Sequence, residues 1–413
     1  AVGLAAAAPV ILDPVILDSV PMIVVVGIGV DGMSGLSAEA QRELRSATVI
    51  YGSRRQLDLL DDTVTANRSA WPSPMLPAVE RLLDHPPAGD IHVVASGDPL
   101  LHGIGGTLIR VHGTHRVRVL PHVSSVTLAC ARMGWNAHDT EVISLVTAPV
   151  HTAVRSGGCA VVLCRDASTP AELAAVLTET GRGASEFTVL ELLGGHEERI
   201  RTCSAAEWAA APPTVDALNV VAVRYLPEEP FGAILPDDAF LHDGQITKRT
   251  MRAVTLAALA PRPGELLWDV GSGSGSIAVQ WCLGASGCRA VAFENNPERR
   301  ERIATNARRF GADIEVRGQA PHDFDGAARP AAIFVGGGVT HPGLLDACLD
   351  RLRAGGRLVA NAVTAESEAA LVDWHSRLGG ELFRFQHYRG EPLGGFTGWR
   401  PAMPITQWVV SVP

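Results

Sequence analysis

The sequence predicts an α/β protein of about two domains, built on parallel sheets whose strands end in ligand-facing turns. Three observations carry this. The chain has 413 residues, too many for one ordinary core. Strand, turn and helix patterns follow one another in the order that parallel sheets require. Two apolar runs, one in each half of the chain, stop at closely spaced glycines: MIVVVGIGVDG from residue 22 and LLWDVGSGSG from residue 266.

The first 21 residues are apolar but lack a basic leader and are broken by proline and aspartate. They fit neither a signal peptide nor a membrane span. Met22 reads as the start of the fold, after an extension of unknown role. Residues 22–26 are a β-branched run ending at Gly27, Gly29 and Gly32, and Ser37 is the N-cap of a helix over SAEAQRELRSA. A strand then leads into YGSRRQLDLL. There Tyr51 to Arg55 reads either as a solvated turn or as a basic turn, with Arg54 and Arg55 meeting a substrate carboxylate. Residues 91–95 form the next strand. Ser96, Gly97, Asp98 and Pro99 make a sharp turn before a glycine-lightened helix start. Then VRVLPHVSSVTLACARMGW repeats the theme. Ser124 and Ser125 cap its helix or bond a ligand.

GIGVDG, SGDPLLHG and PHVSSVTLACARMG, in this order and spacing, resemble the tetrapyrrole methylase family, the class III methyltransferases. ELLGGHEERIR and NVVAVRY are similar to that family's later segments, so the resemblance spans residues 22–226. It implies a two-lobed αβ domain, usually dimeric and hence a homo-oligomer. Its cofactor, S-adenosyl-L-methionine, would lie near Gly97, Asp98, Pro99, Ser124 and Ser125. Val30 and Asp31 stand where the family's first motif has proline and its partner, a departure that bears on the shape of the first loop. His102, directly after the cofactor turn, is the histidine to test as catalytic, though a lone histidine is more often structural.

Residues 227–240 read as a polar, proline-rich linker. The second domain, residues 241–413, opens with GQITKRTMRAVTLAALA, an amphipathic helix. Thr247 and Lys248 are placed at its start, and Lys248 reads as a surface lysine or as a catalytic one. Leu266, Leu267, Trp268 and Val270 form the short apolar run of a buried parallel strand, with Asp269 near its end. Gly271, Gly273 and Gly275 follow, and a helix begins at Ser276. Such glycines let backbone amides approach a ligand, and the helix N-terminus adds positive potential. A second strand, AVAF, ends in Glu294, where an acid can take both hydroxyls of a ribose.

The spacing G-x-G-x-G, with Asp269 just before it, turns away from a dinucleotide and resembles motif I of the class I S-adenosylmethionine-dependent methyltransferases. The resemblance implies a Rossmann-like domain. Asp269, Gly271, Gly273 and Gly275 would stand beside the amino-acid part of the cofactor, Glu294 at its ribose, and Gln319 and Ala320 at its adenine. Gly337, between Gly336 and Gly338 after AAIFV, leaves space for substrate. Two closing strands, ELFRFQHYR and PITQWVVSV, flank a glycine-rich loop with Arg389 and Arg400 nearby.

A tetrapyrrole methylase domain joined to a class I domain resembles the bifunctional, decarboxylating precorrin methyltransferases of cobalamin biosynthesis. The resemblance implies that the first domain methylates carbon 5 of the macrocycle. The second would methylate carbon 15 and remove carbon dioxide from the ring C acetate. The substrate carries many carboxylates, which gives Arg54, Arg55, Lys248, Arg389 and Arg400 a task.

Composition narrows the alternatives. Hydrophobic residues make up 46% and charged residues 19%, as in a soluble globular protein, here expected in the cytoplasm. A net charge of −9 disfavours a nucleic-acid partner. Seven scattered cysteines without C-x-x-C read as free thiols, and the fourteen histidines show no metal spacing. RNA methylation, an NAD(P)-dependent oxidoreductase and a non-catalytic cofactor sensor remain the rival readings. Each is weakened by charge, by glycine spacing or by the two intact turns respectively.

Overall fold

The computed structural model describes residues 21–84, 89–228 and 232–412. The 1–21 extension, apart from its last residue, and residues 229–231 of the linker lie outside the described residues. Cα packing divides the chain into two compact units. One is the chain up to Ser144 with residues 189–201 and 215–222. The other is residues 145–188, 202–214 and 223–413.

The first elements are β1 (Ile23–Ile28), α1 (Ala38–Ser46), β2 (Val49–Gly52), α2 (Arg54–Asp58), β3 (Asn67–Ala70), α3 (Leu76–Glu80), β4 (Ile91–Ser96), α4 (Ile104–His112), β5 (Val117–Leu120) and α5 (Ser125–Met133). Their strands pair in parallel in the order β3-β2-β4-β1-β5. All of β1 and all but the last residue of β4 are buried, as continuous apolar runs covered on both faces must be. Ser37 caps α1, its side chain accepting from the Ala40 amide. The turn expected at residues 51–55 is a helix start instead. Ser53 and Gln56 form a reciprocal capping box, so Arg54 and Arg55 lie in the first turn of α2.

The chain continues through β6 (Thr140–Ser144), β7 (Cys159–Leu163), α6 (Thr169–Glu179), β8 (Glu186–Glu191), β9 (Arg199–Ser204), α7 (Ala205–Ala210) and β10 (Asn219–Arg224), with β6 to β10 in a second five-stranded sheet. The ELLGGHEERIR segment ties one buried carboxylate to two more exposed arginines. Glu191 has no exposed surface and accepts from Arg199 (2.9 Å), Arg201 (2.6 Å) and the Asp216 amide (2.7 Å).

The remaining elements are α8 (Arg249–Leu259), β11 (Leu266–Val270), α9 (Ser276–Gly284), β12 (Arg289–Phe293), α10 (Pro297–Phe310), β13 (Ile314–Arg317), β14 (Ala332–Val335), α11 (Leu344–Arg351), β15 (Arg357–Ala362), α12 (Ala365–Leu378), β16 (Glu381–Phe385), β17 (Tyr388–Leu393), β18 (Phe396–Pro401) and β19 (Ile405–Ser411). Seven of these strands form one sheet, β13-β12-β11-β14-β15-β19-β16. The first five are parallel, and β19 runs antiparallel to both β15 and β16. This insertion separates the sheet from the 3-2-1-4-5-6 order of dinucleotide-binding domains. Trp268, Phe293 and Phe324 pack pairwise with ring centroids 4.7–5.1 Å apart and brace β11 against β12 from one face.

The glycine-rich loop expected before the last strand is a hairpin, β17–β18, in which Arg389 stands opposite Arg400. Its two connecting residues are Gly394, at φ 61°, and Gly395, the pair that a two-residue hairpin turn favours. All seven cysteines are free thiols. Among the described residues no helix is long and apolar enough to cross a membrane.

Candidate active sites

Strand order reverses between β11 and β14, and in open α/β sheets ligands bind beyond the strand ends at such a point. A cavity of about 730 Å³ lies there. It is lined by the loops after β11 (Gly271 to Ser274), β12 (Glu294, Asn295), β13 (Gln319, Ala320) and β14 (Gly336 to Gly338). The segment Gly244 to Lys248 and residues Arg299, His341, Asn361, Met403 and Ile405 complete it.

The glycine turn has a distinct reason at each position. Gly271 has φ 70°, and a Cβ there would fall 2.9 Å from the Gly337 amide nitrogen, so the β11 and β14 loops touch through backbone alone. Gly273 has φ 60°, and its Cβ would meet only the Gln245 carbonyl at 4.0 Å, leaving its face open to the cavity. Gly275, at φ 75°, faces Ile303 at 3.0 Å, so it serves packing and does not line the cavity. Asp269 also lies behind the loop. Its Oδ2 accepts from Ser272 Oγ (2.7 Å) and the Ala278 amide (3.2 Å), while Oδ1 has no hydrogen-bond partner. Burial pushes its pKa up to about 7, against the lowering effect of those two donors.

Glu294 Oε2 accepts from the Gly273 amide at 2.9 Å and Oε1 from the Asn296 amide at 3.0 Å. A carboxylate offers about four lone-pair sites, so two remain for ribose hydroxyls. The residues present therefore fit S-adenosyl-L-methionine. Glu294 suits the ribose, the open face of Gly273 gives the amino-acid end room beside a turn whose Gly271 and Ser272 amides donate to the Phe293 carbonyl, and Gln319 with Ala320 suits the base.

Lys248 is brought to the same cavity. It occupies the N-cap of α8 without a side-chain capping bond, a poor place for a cation against the helix dipole. Sequence reasoning passed over a plain signal for it: it is the only lysine in the chain. Arg389 and Arg400 are not part of the cavity lining; Arg400 pairs with Glu391 at 3.0 Å on the exposed hairpin. Asn361, His341 and Met403 lie far along the chain from the glycine motif. Only the sheet order brings them in.

At the carboxyl ends of β1, β4 and β5 a second set of turns meets. A Cβ on Gly27 would fall 2.0 Å from the Gly97 carbonyl oxygen and 2.7 Å from the His122 amide, so these loops need glycine to close. Gly97 takes φ 54°, and Asp98 accepts from the Leu100 amide at 2.9 Å, holding the turn. The carbonyl of Pro99 would lie 2.5 Å from a Cβ at Gly103 and 2.8 Å from one at Gly105. Ser124 caps α5 by accepting from the Thr127 amide, and Ser125 is the first residue of that helix. His102 is exposed in a left-handed conformation, φ 53°. Arg55 donates to Ser96 Oγ at 2.6 Å, which places its cation beside the Gly97 turn; Arg54 is exposed. Sequence reasoning did not single out the pair His122–Asp31, whose Nε2 and Oδ1 are 3.6 Å apart over Gly29. Among the described residues no group of three His, Cys, Asp or Glu is placed to hold a metal ion.

Comparison with known proteins covers both halves of the chain. The family model for tetrapyrrole (corrin/porphyrin) methylases matches residues 22–209, and that for the precorrin methyltransferase domain matches residues 238–412. The precorrin-6Y C(5,15)-methyltransferase [decarboxylating] of Mycobacterium tuberculosis is 68% identical over 391 residues, covering 94% of this chain and 100% of the relative. The protein of that name from a Sinorhizobium species is 43% identical, covering 96% of this chain and 97% of the relative. The chain belongs to the precorrin-6Y C(5,15)-methyltransferase (decarboxylating) family. It is thus a decarboxylating C-methyltransferase whose cofactor is S-adenosyl-L-methionine. A shorter relative, the probable cobalt-precorrin-6B C(15)-methyltransferase (decarboxylating) of Pyrobaculum calidifontis, is 33% identical over 180 residues, covering 41% of this chain and 92% of its own.

Proposed function

We propose that this chain methylates precorrin-6Y at carbons 5 and 15 and decarboxylates the ring C acetate. The β1–β4–β5 turns would serve carbon 5, and the 730 Å³ cavity carbon 15 and the decarboxylation. The domain limits follow that division: residues 22–226, a linker at 227–240, and residues 241–413. The observation that carries the reading is the presence of two separate glycine turns, each at the carboxyl ends of parallel strands in its own sheet.

Bound at either turn, the cofactor supplies an electrophilic methyl on a sulfonium, and the electron-rich macrocycle carbon is the nucleophile. The protein's task is alignment and exclusion of water. In the second site Glu294 would fix the ribose, and Gly337 leaves open space at the β14 edge for the macrocycle. Arg54 and Arg55 beside the first turn, and Lys248, Arg389 and Arg400 in the second half, are the cations that would meet substrate carboxylates. His102 is the candidate acid–base group beside the first turn. The hairpin bearing Arg389 and Arg400 also exposes Phe396 (84%) and Trp399 (74%), apolar surface that suits a flat macrocycle. Homo-oligomerisation and a cytoplasmic setting belong to the same reading.

Mass spectrometry of product formed from precorrin-6Y and S-adenosyl-L-methionine tests it. Wild type is expected to show two methyl gains and one loss of carbon dioxide. Glu294→Ala should keep one methyl gain and lose the decarboxylation; Asp98→Ala should lose the other methyl. A Glu294→Ala protein that performs all three changes at the wild-type rate removes the assignment of the second site.

A further inference from the structure

Of the 35 lysines and arginines in this chain, one is a lysine, and it stands at the second cavity. Every other cationic position, surface and interior alike, is arginine. If Lys248 served only to attract a carboxylate, arginine would do it at least as well, through a bidentate pair. What arginine cannot do is release a proton; lysine can.

The surroundings leave that capacity free. Lys248 forms no ion pair among the described residues, and its side chain makes no capping bond at the N-cap of α8. The other cation lining the cavity, Arg299, is tied to Asp243 at 2.8 Å. Glu294 is held by two backbone amides. His341 is the remaining titratable side chain of the lining, and its Nδ1 lies 3.0 Å from the carbonyl oxygen of the adjacent Pro342.

We propose that the Lys248 amine is the proton carrier of the second site, serving both the decarboxylation and the methylation there. The inference rests on the assignment of those two steps to this cavity. The proton balance of the steps fits one carrier. In decarboxylation the bond from the acetate methylene to its carboxylate breaks, and carbon dioxide leaves. The electron pair passes into the conjugated ring, and the methylene takes up one proton to become methyl. In methylation a bond forms between the ring carbon and the transferred methyl, and the same ring carbon gives up one proton. One step consumes a proton and the other releases one. An ammonium that donates in decarboxylation and is regenerated in methylation closes the balance within the cavity; in the opposite order the neutral amine accepts first and donates second.

The test compares Lys248→Arg, Lys248→Ala and wild type in single turnovers, with methyl gain and carbon dioxide loss read separately by mass. Both variants should lose decarboxylation and the second methylation by about a hundredfold or more, the usual worth of a positioned acid–base group. The first methyl gain should persist. A small primary amine should restore Lys248→Ala in part, and guanidine should not. A second readout does not depend on turnover. Reductive methylation with ¹³C-formaldehyde labels only Lys248 and the chain's amino terminus, and the Lys248 methyl resonance should shift when precorrin is added. A Lys248→Arg protein with wild-type product masses and rates overturns the proposal, as does a resonance unmoved by saturating precorrin. A wild-type protein that performs no second methylation, or a Glu294→Ala protein that performs it unimpaired, would instead defeat the assignment of the site itself, so the two failures are distinct.

Discussion

Asp269 sits directly beneath the second glycine turn, 1% exposed, with one carboxylate oxygen bonded to Ser272 and Ala278 and the other without a partner. Burial outweighs those bonds, and the nearby Glu294 carboxylate adds to it, so the pKa stands at about 7. An ordinary aspartate titrates near 3.9. The folded state therefore holds the proton more tightly than the unfolded chain. The associated stability is fully present below about pH 4 and is lost as pH rises through about 7. Asp269→Asn keeps an acceptor for Ser272 and Ala278 and removes the titration. The unfolding free energy of the variant minus that of wild type should rise across this window by on the order of 4 kcal/mol, about three pKa units at about 1.36 kcal/mol each. Urea unfolding of the two proteins at a series of pH values measures it. A difference that stays flat from pH 4 to 8 would show that Asp269 is ionised throughout. Taking a difference is necessary, because depressed carboxylates such as Glu191 and Glu265 change stability with pH in the opposite sense.

At the scale of elements, the segment before α8 that carries Gln245, Thr247 and Lys248 has no regular structure of its own and is fastened by Asp243. That carboxylate accepts from Arg299 on α10 at 2.8 Å, lies 3.0 Å from Arg302, and accepts from the Gln245 amide at 3.1 Å. The Arg299 bond, first among its partners, holds the Asp243 pKa down to about 2. The latch is therefore at full strength above the ordinary aspartate value and is lost as pH falls through about 2. Asp243→Ala should speed amide hydrogen exchange at residues 244–248 and weaken precorrin binding several-fold, with little change in global stability. Unchanged exchange would mean the loop is held by something else. Much of this architecture is legible in the sequence because it is local. Ser37 and Ser124 cap helices as their side chains dictate, β1, β4 and β11 are apolar runs, and Glu294 follows the second strand. Local rules also misled. Ser53 and Gln56 spell a capping box, and Gly394 with Gly395 spells a hairpin turn, yet the charges around the first and the glycines around the second read as loop. What local rules do not contain is the placement of β19 between β15 and β16. That placement, a matter of long-range pairing, brings Met403 and Ile405 to the cavity.

For the whole molecule, the second compact unit includes residues 145–188 as well as the C-terminal sheet, and its internal packing shows why. His151 Nε2 donates to the Ala312 carbonyl at 3.1 Å, and Arg308 on α10 pairs with Glu179 at the end of α6. Burial holds the His151 pKa below its ordinary value, so the imidazole is neutral at pH 7 and its protonation in acid, which places a charge in a buried site, costs the junction stability. At the centre of the junction Gly311 ends α10 in the left-handed conformation, φ 69°, and a Cβ there would lie 2.4 Å from the Val154 carbonyl oxygen. Gly311→Ala must strain the backbone, by about 1–2 kcal/mol for an L-residue in that region, and must also push residues 151–154 away. The expected result is a thermal transition several degrees lower, with faster proteolysis around residues 149–155. Binding of S-adenosyl-L-methionine at the second cavity should be unchanged, since Gly311 does not line it. A variant that melts and resists protease like wild type would show that the junction contributes nothing.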